Sequence, residues 1–329
     1  MEQESNGRGA NADMVSALIQ ASGRRTEPPA DAYRQVLDAS ITTLRQKTAR
    51  RRERNWLIGA MAAGVAGVFI MLLLQHQTGT LQPRVATVVR TFGAVEFRTA
   101  DRWKPLAESR NSIGAGTELR TLAGGGAALS FGKGVSLRLA SATEVRFDGP
   151  HDILLRDGML YLDNRASLGT GFRIGTPLGT VRDVGTQFEV RVTDGSLRVR
   201  VREGRVQIDR AGGHVNGAAG DQVEIDVLGG VTRSTIAATD PAWQWAEAMA
   251  AAPDIDGRPA TELLAWVARE TGRRLRYASP EVEQRAASVI LHGNIRHLAP
   301  LAALDAMLAT TDLEYVLIGD TMEIRARAE

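Results

Sequence analysis

The sequence predicts a single-pass membrane protein with an all-β antiparallel exported domain, a small α+β domain after it, and a short helical segment on the cytoplasmic side. Three observations support this prediction: one long apolar run, many short alternating segments punctuated by glycine, and a C-terminal stretch where helical and strand patterns alternate. The predicted segments are a cytoplasmic segment (1–55), a membrane helix (56–74), a linker (75–84), a β domain (85–235), a connecting helix (236–252) and an α+β domain (253–329).

The apolar run from Trp56 to Leu74 has nineteen residues and contains neither charge nor proline. At about 1.5 Å of rise per residue, a helix of this length crosses a hydrocarbon layer of about 30 Å. Basic residues cluster before the run and uncharged residues follow it, which predicts that 1–55 is cytoplasmic and 75–329 is exported. A cleavable signal peptide is the alternative. The 55 residues before the run, and the lack of an Ala-x-Ala site after it, favour a retained anchor in the lipid bilayer.

Small residues recur at every fourth position of this run, at Gly59, Ala63 and Gly67. This spacing lets two membrane helices approach closely, so a homodimer through the membrane helix is a secondary hypothesis.

Composition narrows the classes of function. The chain has 329 residues, 43% of them hydrophobic, which is enough for two or three domains. The cytoplasmic segment carries a net charge of +3 and the remainder −1, so the basic excess lies next to the membrane and a nucleic-acid partner has no support. Because the chain has no cysteine, a disulfide framework, a thiolate metal site and a cysteine nucleophile are excluded.

Two short amphipathic helices are predicted in the cytoplasmic segment, one over 12–22 and one over 31–50, with Pro28 and Pro29 between them. Their apolar stripes consist of Val15, Leu18, Ile19, Tyr33, Val36, Leu37, Ile41 and Leu44. Two such helices cannot bury much apolar surface against each other, so we interpret the stripes as a protein-docking surface. The alternative is a tether that lies on the lipid surface.

Residues 85–235 alternate apolar and polar side chains between glycine-containing turns, which is typical of antiparallel β structure. One segment alternates apolar and basic residues: Leu197, Arg198, Val199, Arg200, Val201 and Arg202. Because strand alternation puts the three arginines on one face, where Glu189 can pair with them, we interpret the row as a solvated polar face and not as an anion site.

The C-terminal region predicts a βαββαβ-like order. A short helix is expected over 240–251, a short strand over 254–257 and a helix over 261–270 that ends at Gly272. Strands are expected over 275–277 and 289–291, a helix over 300–308, and a closing hairpin over 313–324.

The sequence shows no recognisable catalytic or metal-binding constellation. His292 and His297 are five residues apart, which is not the spacing of a helical metal pair, and no G-x-S-x-G or H-E-x-x-H motif occurs. Asp183 precedes the turn Val184-Gly185-Thr186, where an aspartate usually accepts backbone N–H bonds. We therefore expect no cofactor, no metal and no enzymatic activity.

Several motifs in the β region occur in a recognisable order. Residues 172–190 read Phe-Arg-Ile-Gly-Thr-Pro-Leu-Gly-Thr-Val-Arg-Asp-Val-Gly-Thr-Gln-Phe-Glu-Val, residues 201–206 read Val-Arg-Glu-Gly-Arg-Val, and residues 114–121 read Gly-Ala-Gly-Thr-Glu-Leu-Arg-Thr. Over residues 85–210 the chain resembles the FecR family of membrane-spanning sigma-factor regulators. Structural roles are assigned to the motif positions Gly116, Thr117, Thr176, Gly179, Asp183, Gly185, Thr186, Phe188, Glu203 and Gly204.

The C-terminal region resembles the short N-terminal domain shared by secretins and TonB-dependent receptors. The residues that carry this resemblance are Gly-Arg-Arg-Leu-Arg-Tyr over 272–277 and Ala-Leu-Asp-Ala-Met-Leu-Ala-Thr-Thr-Asp-Leu over 303–313.

Together the two resemblances imply an anti-sigma factor of the bacterial inner membrane, with its N-terminus cytoplasmic and its C-terminus periplasmic. The implied partners are an extracytoplasmic-function sigma factor inside and a TonB-dependent outer-membrane receptor outside, in the control of iron, siderophore or nutrient uptake. The alternative is a membrane-anchored periplasmic scaffold or binding module without sigma-factor activity.

The predicted topology is testable with reporter fusions. Alkaline phosphatase, which is active only outside the cytoplasm, should be active when fused after residue 80 and inactive when fused after residue 50, because the basic cluster retains the N-terminal segment inside. The control is a cytoplasmic reporter at the same two positions, which should give the opposite pattern. Equal phosphatase activity at both positions would contradict the predicted span.

Overall fold

The computed structural model describes residues 15–21, 23, 84–99, 102–106, 111–132, 134–164 and 171–327. The chain divides into two compact units, Met1–Leu81 and Gln82–Glu329. The predicted membrane helix over 56–74 lies outside the described residues. Within the described ranges, none of the helices combines the length and the apolar character that crossing a membrane requires.

In the first unit the described part is one helix over 15–21, inside the helix predicted for 12–22. All seven of its residues are exposed.

The second unit begins with a β-rich part, as the alternating pattern predicts. Between residues 84 and 235 the described strands are β1 Arg84–Phe92, β2 Val95–Arg98, β3 Lys104–Pro105, β4 Ser112–Gly114, β5 Glu118–Thr121, β6 Gly126–Gly132, β7 Val135–Leu139, β8 Thr143–Phe147, β9 Asp152–Asp163, β10 Arg173–Thr176, β11 Gly179–Asp183, β12 Gln187–Thr193, β13 Ser196–Glu203, β14 Arg205–Arg210, β15 Gly213–Ala218, β16 Asp221–Asp226 and β17 Val231–Thr235. No helix interrupts the described part of this region.

These strands form two sheets that share β9. The first sheet has the order β4-β1-β6-β7-β9-β12-β13-β16-β17, and the second has the order β3-β2-β5-β8-β9-β10-β11-β14-β15. Neighbouring strands are antiparallel, as predicted, except that β10 runs parallel to the first half of β9. The sequence pattern leaves a barrel, a sandwich and stacked hairpins open, and the structure shows two sheets connected through one long strand.

Strand β9 belongs to both sheets because it bends at Gly158. Its first half pairs with β8 and β10, and its second half pairs with β7 and β12. Gly158 has a φ of +94°, and a Cβ atom there would lie 2.5 Å from the Ala142 carbonyl oxygen and from Thr143. Only glycine combines this backbone conformation with so close an approach.

One hydrophobic core lies between the two sheets. The first sheet contributes residues such as Leu162, Phe188 and Val199, and the second contributes residues such as Val145 and Ile174, all of them fully buried. Because side chains alternate along each strand, the polar residues between these positions occupy the outer faces of the sheets.

Ion pairs cover the outer face of the second sheet. Glu118 pairs with Arg98 and with Arg156, and Trp103 lies against the guanidinium groups of Arg98 and Arg120. Burial acts to raise the pKa of the Glu118 carboxyl, but the hydrogen bonds and charges of Arg156 and Arg98 outweigh it and hold the pKa below its ordinary value. These arginines remain partly exposed, so each pair contributes little to stability.

The remainder of the second unit is a C-terminal α+β module. Its elements are the 3₁₀ turn Pro241–Trp243, the helix Gln244–Ala248, β18 Arg258–Pro259, the helix Ala260–Thr271, β19 Arg274–Tyr277, the helix Pro280–Ser288, β20 Ile290–Leu291, the helix Pro300–Leu308, β21 Leu313–Ile318 and β22 Thr321–Ala326. Strand β22 lies between β19, to which it is parallel, and β21, to which it is antiparallel. A separate core that includes Leu263, Leu304 and Ile324 holds the helices to this sheet.

Two details of the βαββαβ-like prediction are wrong. The helix Pro280–Ser288 was not predicted, although Ser279 caps it, Pro280 begins it and Glu281 lies in its first turn, all of which favour a helix start. The strand expected over 254–257 is absent from the described structure. The neighbouring Arg258–Pro259 pairs with β20 instead.

Gly158 provides a test of the shared strand. Gly158→Ala should destabilise the protein by about 2–4 kcal/mol, because strain at positive φ adds to a clash with the backbone. Gly132→Ala is the matched control: its φ is +77°, but a Cβ there would meet nothing within 4 Å. The control should cost only about 1 kcal/mol. Urea unfolding of both variants measures the difference, and equal losses would contradict the role given to Gly158.

Candidate functional site

The motif residues around Asp183 form a turn in which the Asp183 carboxylate accepts four hydrogen bonds. Asp183 is buried and accepts hydrogen bonds from the Gly185 N–H at 2.6 Å, the Phe172 N–H at 3.2 Å, the Asn164 side-chain amide at 2.6 Å and the Thr186 hydroxyl at 3.3 Å. Four donors on one carboxylate organise a turn and leave no free oxygen for acid–base chemistry.

The structure brings further motif residues to the same turn. Gly204, at φ +81°, passes so close that a Cβ there would lie 2.6 Å from Thr186 and 2.7 Å from the Gly185 carbonyl oxygen. Glu203 precedes it at the end of β13, and Phe188 is fully buried in the core beneath.

Other motif residues lie elsewhere. Thr176 and Gly179 close the β10–β11 hairpin, where the Thr176 hydroxyl donates to the Gly179 carbonyl at 2.7 Å. Gly116, at φ +77°, and the buried Thr117 form the turn before β5. The motif residues are therefore distributed over three turns, and they do not assemble into one site.

Of the predicted sigma-factor contacts, three lie in the described helix over 15–21. Val15, Leu18 and Ile19 are 53%, 63% and 68% exposed and occupy one side of that helix. The remaining five, Tyr33, Val36, Leu37, Ile41 and Leu44, lie outside the described residues.

The most unusual feature of the described structure is a polar row across the outer face of the first sheet. Strand register aligns Arg138 on β7 with Tyr161 on β9, Glu189 on β12, Arg200 on β13 and Gln222 on β16. The C-terminal module covers part of this row. Arg138, Tyr161 and Glu189 are buried although they lie on the face opposite the core, whereas Arg200 and Gln222 are half-buried.

Arg138 is the most deeply buried cation of the row, with 1% of its side chain exposed. Its guanidinium pairs with the Glu270 carboxylate at 2.6 Å and donates to the Ala246 carbonyl at 2.8 Å. It also lies over the Tyr161 ring, 5.1 Å from the ring centroid. Burial acts to lower the pKa of Arg138, but the nearby Glu270 charge outweighs it and raises the pKa, so the group remains charged.

Aromatic packing surrounds this ion pair. Tyr161 and Trp243 make an edge-to-face contact with ring centroids 6.0 Å apart, and Ile236 and Ala246 complete a small apolar cluster. Burial raises the pKa of the Tyr161 hydroxyl above its ordinary value. The cluster excludes water from the neighbouring charges and strengthens their interaction.

Glu189 is a fully buried acid at the middle of the row. Its carboxylate pairs with Arg198 at 3.2 Å and Arg200 at 3.5 Å, and it accepts a hydrogen bond from the Trp245 indole at 2.9 Å. Trp245 belongs to the helix Gln244–Ala248, so Glu189 connects the sheet to the module.

Arg202 corrects the interpretation of the arginine row as a solvated face. Its side chain is 1% exposed and donates to the Ala238 carbonyl at 2.7 Å, the Glu270 carbonyl at 2.8 Å and the Glu247 carboxylate at 2.7 Å. The guanidinium also lies over Trp243, at 5.3 Å. A cation at the last turn of the helix Ala260–Thr271 satisfies a carbonyl that has no partner within the helix.

A further ion pair lies beside Arg202. Arg269 contacts the fully buried Asp163 carboxylate at 2.7 Å and donates to the Gly134 carbonyl at 3.0 Å. Gln187 donates to the same carboxylate at 3.0 Å.

We call this set the joint: Arg138, Tyr161, Asp163, Glu189 and Arg202 on the sheet, and Trp243, Trp245, Glu247, Arg269 and Glu270 on the module. Buried ion pairs add little net stability because both charges lose their water, but removing one partner leaves the other charge uncompensated. The joint is therefore a contact that specifies one docked arrangement of the two parts.

Most of the joint is not predicted from the sequence. Pairing is predicted for Glu189 and the arginines of β13, but not for Arg138, Asp163 or the residues of the module. The available signal was the alternation in β7 and β9, which places Arg138, Tyr161 and Asp163 on one face, together with the two tryptophans just after the β region.

No cluster in the described part of the chain has three or more histidine, cysteine, aspartate or glutamate side chains arranged to hold a metal ion. The charges of the joint are paired with each other. This arrangement suits holding the sheet and the module together and not catalysis.

Comparison with known proteins identifies the β region. Residues 117–207 match the family described as FecR protein. This range lies within the 85–210 region of the predicted resemblance and includes Asp163, Glu189 and Arg202 of the joint. The prediction of a FecR domain is confirmed there.

Among solved structures, the chain is similar to two crystal structures of a candidate anti-sigma factor from Parabacteroides distasonis ATCC 8503, at 2.50 and 1.65 Å resolution. Each has 16% sequence identity and a TM-score of 0.34, and covers 64% of this chain and 99% of the other. A TM-score of this size supports no argument about fold or function. No curated protein matches the chain.

Glu270 provides a test of the joint. Glu270→Gln should destabilise the protein by about 3–5 kcal/mol, because it leaves the buried Arg138 cation without a counter-charge. The control is Glu262→Gln in the same helix, whose exposed pair with Arg258 at 4.0 Å should contribute less than about 0.5 kcal/mol.

Urea unfolding followed by tryptophan fluorescence measures both variants. The double variant Arg138→Met/Glu270→Met should recover a large part of the stability lost in Glu270→Gln. It leaves neither charge buried without its partner. A Glu270→Gln variant as stable as the Glu262→Gln control would contradict the buried pair.

Proposed function

We propose that this protein is a bitopic regulator of the bacterial inner membrane that passes a signal from the periplasm to a cytoplasmic extracytoplasmic-function sigma factor. The observation that carries the proposal is the FecR domain over residues 117–207. In the proposed topology the helix over 56–74 spans the membrane, residues 1–55 are cytoplasmic and the FecR domain is periplasmic.

The exposed apolar side of the helix over 15–21 supports the cytoplasmic part of the proposal. Three large apolar side chains on one short exposed helix bury little surface within the chain, and an apolar helix face is a common recognition element for a groove on a partner. In the proposal the sigma factor covers this face.

The C-terminal module supports the periplasmic part. It has its own core and its own three-stranded sheet, as a separate domain has. On the basis of its resemblance to the short N-terminal domain of secretins and TonB-dependent receptors, we assign it the contact with an outer-membrane receptor of the TonB-dependent class, in the control of iron or nutrient uptake.

In the proposal, the joint is the physical connection between the C-terminal module and the FecR domain. The module can be docked on the sheet or undocked from it. A receptor that binds one of these two states more tightly than the other shifts the equilibrium between them, and the size of the shift is set by the difference in affinity. Because the joint holds paired buried charges, its docked and undocked states are distinct and not a continuum of small displacements.

The sigma-factor contact is tested on the full-length protein in cells. Leu18→Glu should abolish co-purification of a sigma factor and change the transcription of the genes that it controls, because a charge in the apolar face opposes docking. Gln20→Glu adds the same charge at another exposed position of the same helix and should change neither.

Two outcomes would count against the proposal. If the Leu18→Glu and Gln20→Glu variants retain the same sigma factor, the apolar face is not its contact. If no sigma factor accompanies the wild-type protein and transcription does not respond to either variant, the protein acts instead as a membrane-anchored periplasmic scaffold.

A further inference from the structure

A cleft of about 820 Å³ opens beside the joint, between the sheet and the C-terminal module. The sheet contributes Gln187, Arg202 and Glu203 to its wall, and the module contributes Arg269, Arg273 and Arg274. Its volume lies in the range of pockets that bind small molecules.

The wall of the cleft is predominantly basic. Among the residues that the structure describes, four arginines line it against one acid, Glu203. Two of the four are committed to the joint: Arg202 binds Glu247 and two carbonyls, and Arg269 binds Asp163. The charge available to a ligand therefore comes from Arg273 and Arg274.

Arg273 has unused donors. Its guanidinium donates to the Gly319 carbonyl at 2.8 Å and has no carboxylate among its hydrogen-bond or ion-pair partners in the described structure. Its Nε atom is buried and, among the described residues, has no hydrogen-bond acceptor. Because Nε is enclosed, a ligand oxygen in the cleft would contact the terminal donors, of which Nη1 already binds Gly319 and Nη2 has no acceptor among the described residues.

Arg274 pairs with Asp320, and both side chains are mostly exposed. Such a pair is weak and exchanges readily with water or with another anion. Arg274 is therefore available to a ligand, whereas Arg202 is held in place by its three partners.

The remaining wall is apolar and narrow. Ala238, Ala265, Ala268 and Leu275 provide it, and Gly272 lies between the two halves. A Cβ at position 272 would lie 2.4 Å from Arg202 Nε and from the Ala238 carbonyl oxygen, so the close approach of module and sheet at this point requires glycine.

We propose that this cleft is a binding site for a small organic anion, with a carboxylate or phosphate oxygen on Arg273 and Arg274 and the carbon skeleton against the alanines and Leu275. The guanidinium group recognises both oxyanions through the same paired donors. Since sheet and module both line the cleft, the ligand binds the docked arrangement and stabilises it by mass action. This inference does not depend on the sigma-factor proposal.

The test is titration of the full-length protein, purified in detergent, with succinate and with inorganic phosphate, followed by isothermal calorimetry and by the unfolding temperature. Saturable binding at millimolar concentration or tighter, with a rise in unfolding temperature, is expected for at least one of them. Succinate alone would assign a carboxylate ligand, and phosphate alone would assign a phosphate ligand. The neutral diamide of succinate should not bind.

Arg273→Gln should weaken the binding about tenfold or more, since hydrogen bonds between charged groups are the strong ones. Arg276→Gln is the matched control: it lies on β19, which begins directly after Arg273, is exposed, pairs with Glu323 and is not among the residues that line the cleft. It should bind as the wild type does. Far-UV circular dichroism verifies that both variants fold.

Three results would overturn the proposal. One is the absence of saturable binding by either anion. Another is equal weakening by Arg273→Gln and Arg276→Gln, which would indicate attraction to surface charge in general. The third is binding that leaves the unfolding temperature unchanged, because a ligand held by the docked arrangement must stabilise it.

Discussion

The structure depends on the burial of charge on the outer face of the first sheet. In an antiparallel sheet one face usually packs on the core and the other contacts water, and residues such as Arg138, Asp163 and Glu189 have the polarity of the second kind. Here the C-terminal module covers the part of that face around Arg138, Tyr161 and Glu189, so both faces of the sheet are buried there but by different chemistry. The inner face is held by apolar contact, which is insensitive to small shifts. On the outer face, paired charges hold the module to the sheet, and these pairs form in only one relative position of the two.

That difference assigns different roles to the two sides of the sheet. The apolar core between the sheets has many fully buried members and provides most of the stability of the β region. The joint contributes little net stability, because desolvation of its charges offsets their attraction. What it contributes is specificity: Glu270 uses its carboxylate for Arg138 and its carbonyl for Arg202, so one residue of the module fixes its position on two strands.

The parts of the fold that the sequence predicted are those determined by local pattern. Alternation and glycine turns predicted the strands around Leu197–Arg202, and the helix end at Gly272 followed from the preference of glycine for the left-handed conformation. The helix Pro280–Ser288 was missed despite its Ser279 cap, since its apolar face is short. The joint could not be predicted, because Arg138 and Glu270 are 132 positions apart and nothing in either segment distinguishes a covered polar face from a solvated one.

The motif residues and the joint are separate because they depend on different kinds of contact. Gly185, Gly204 and Asp183 shape one turn within the matched range through contacts that are local to it. The joint depends on a match between two surfaces, and one surface belongs to a module outside the matched 117–207 range. A comparison restricted to residues 117–207 therefore contains only one partner of each ion pair that crosses to the module: Arg138 of the pair with Glu270, Arg202 of the pair with Glu247, and Asp163 of the pair with Arg269.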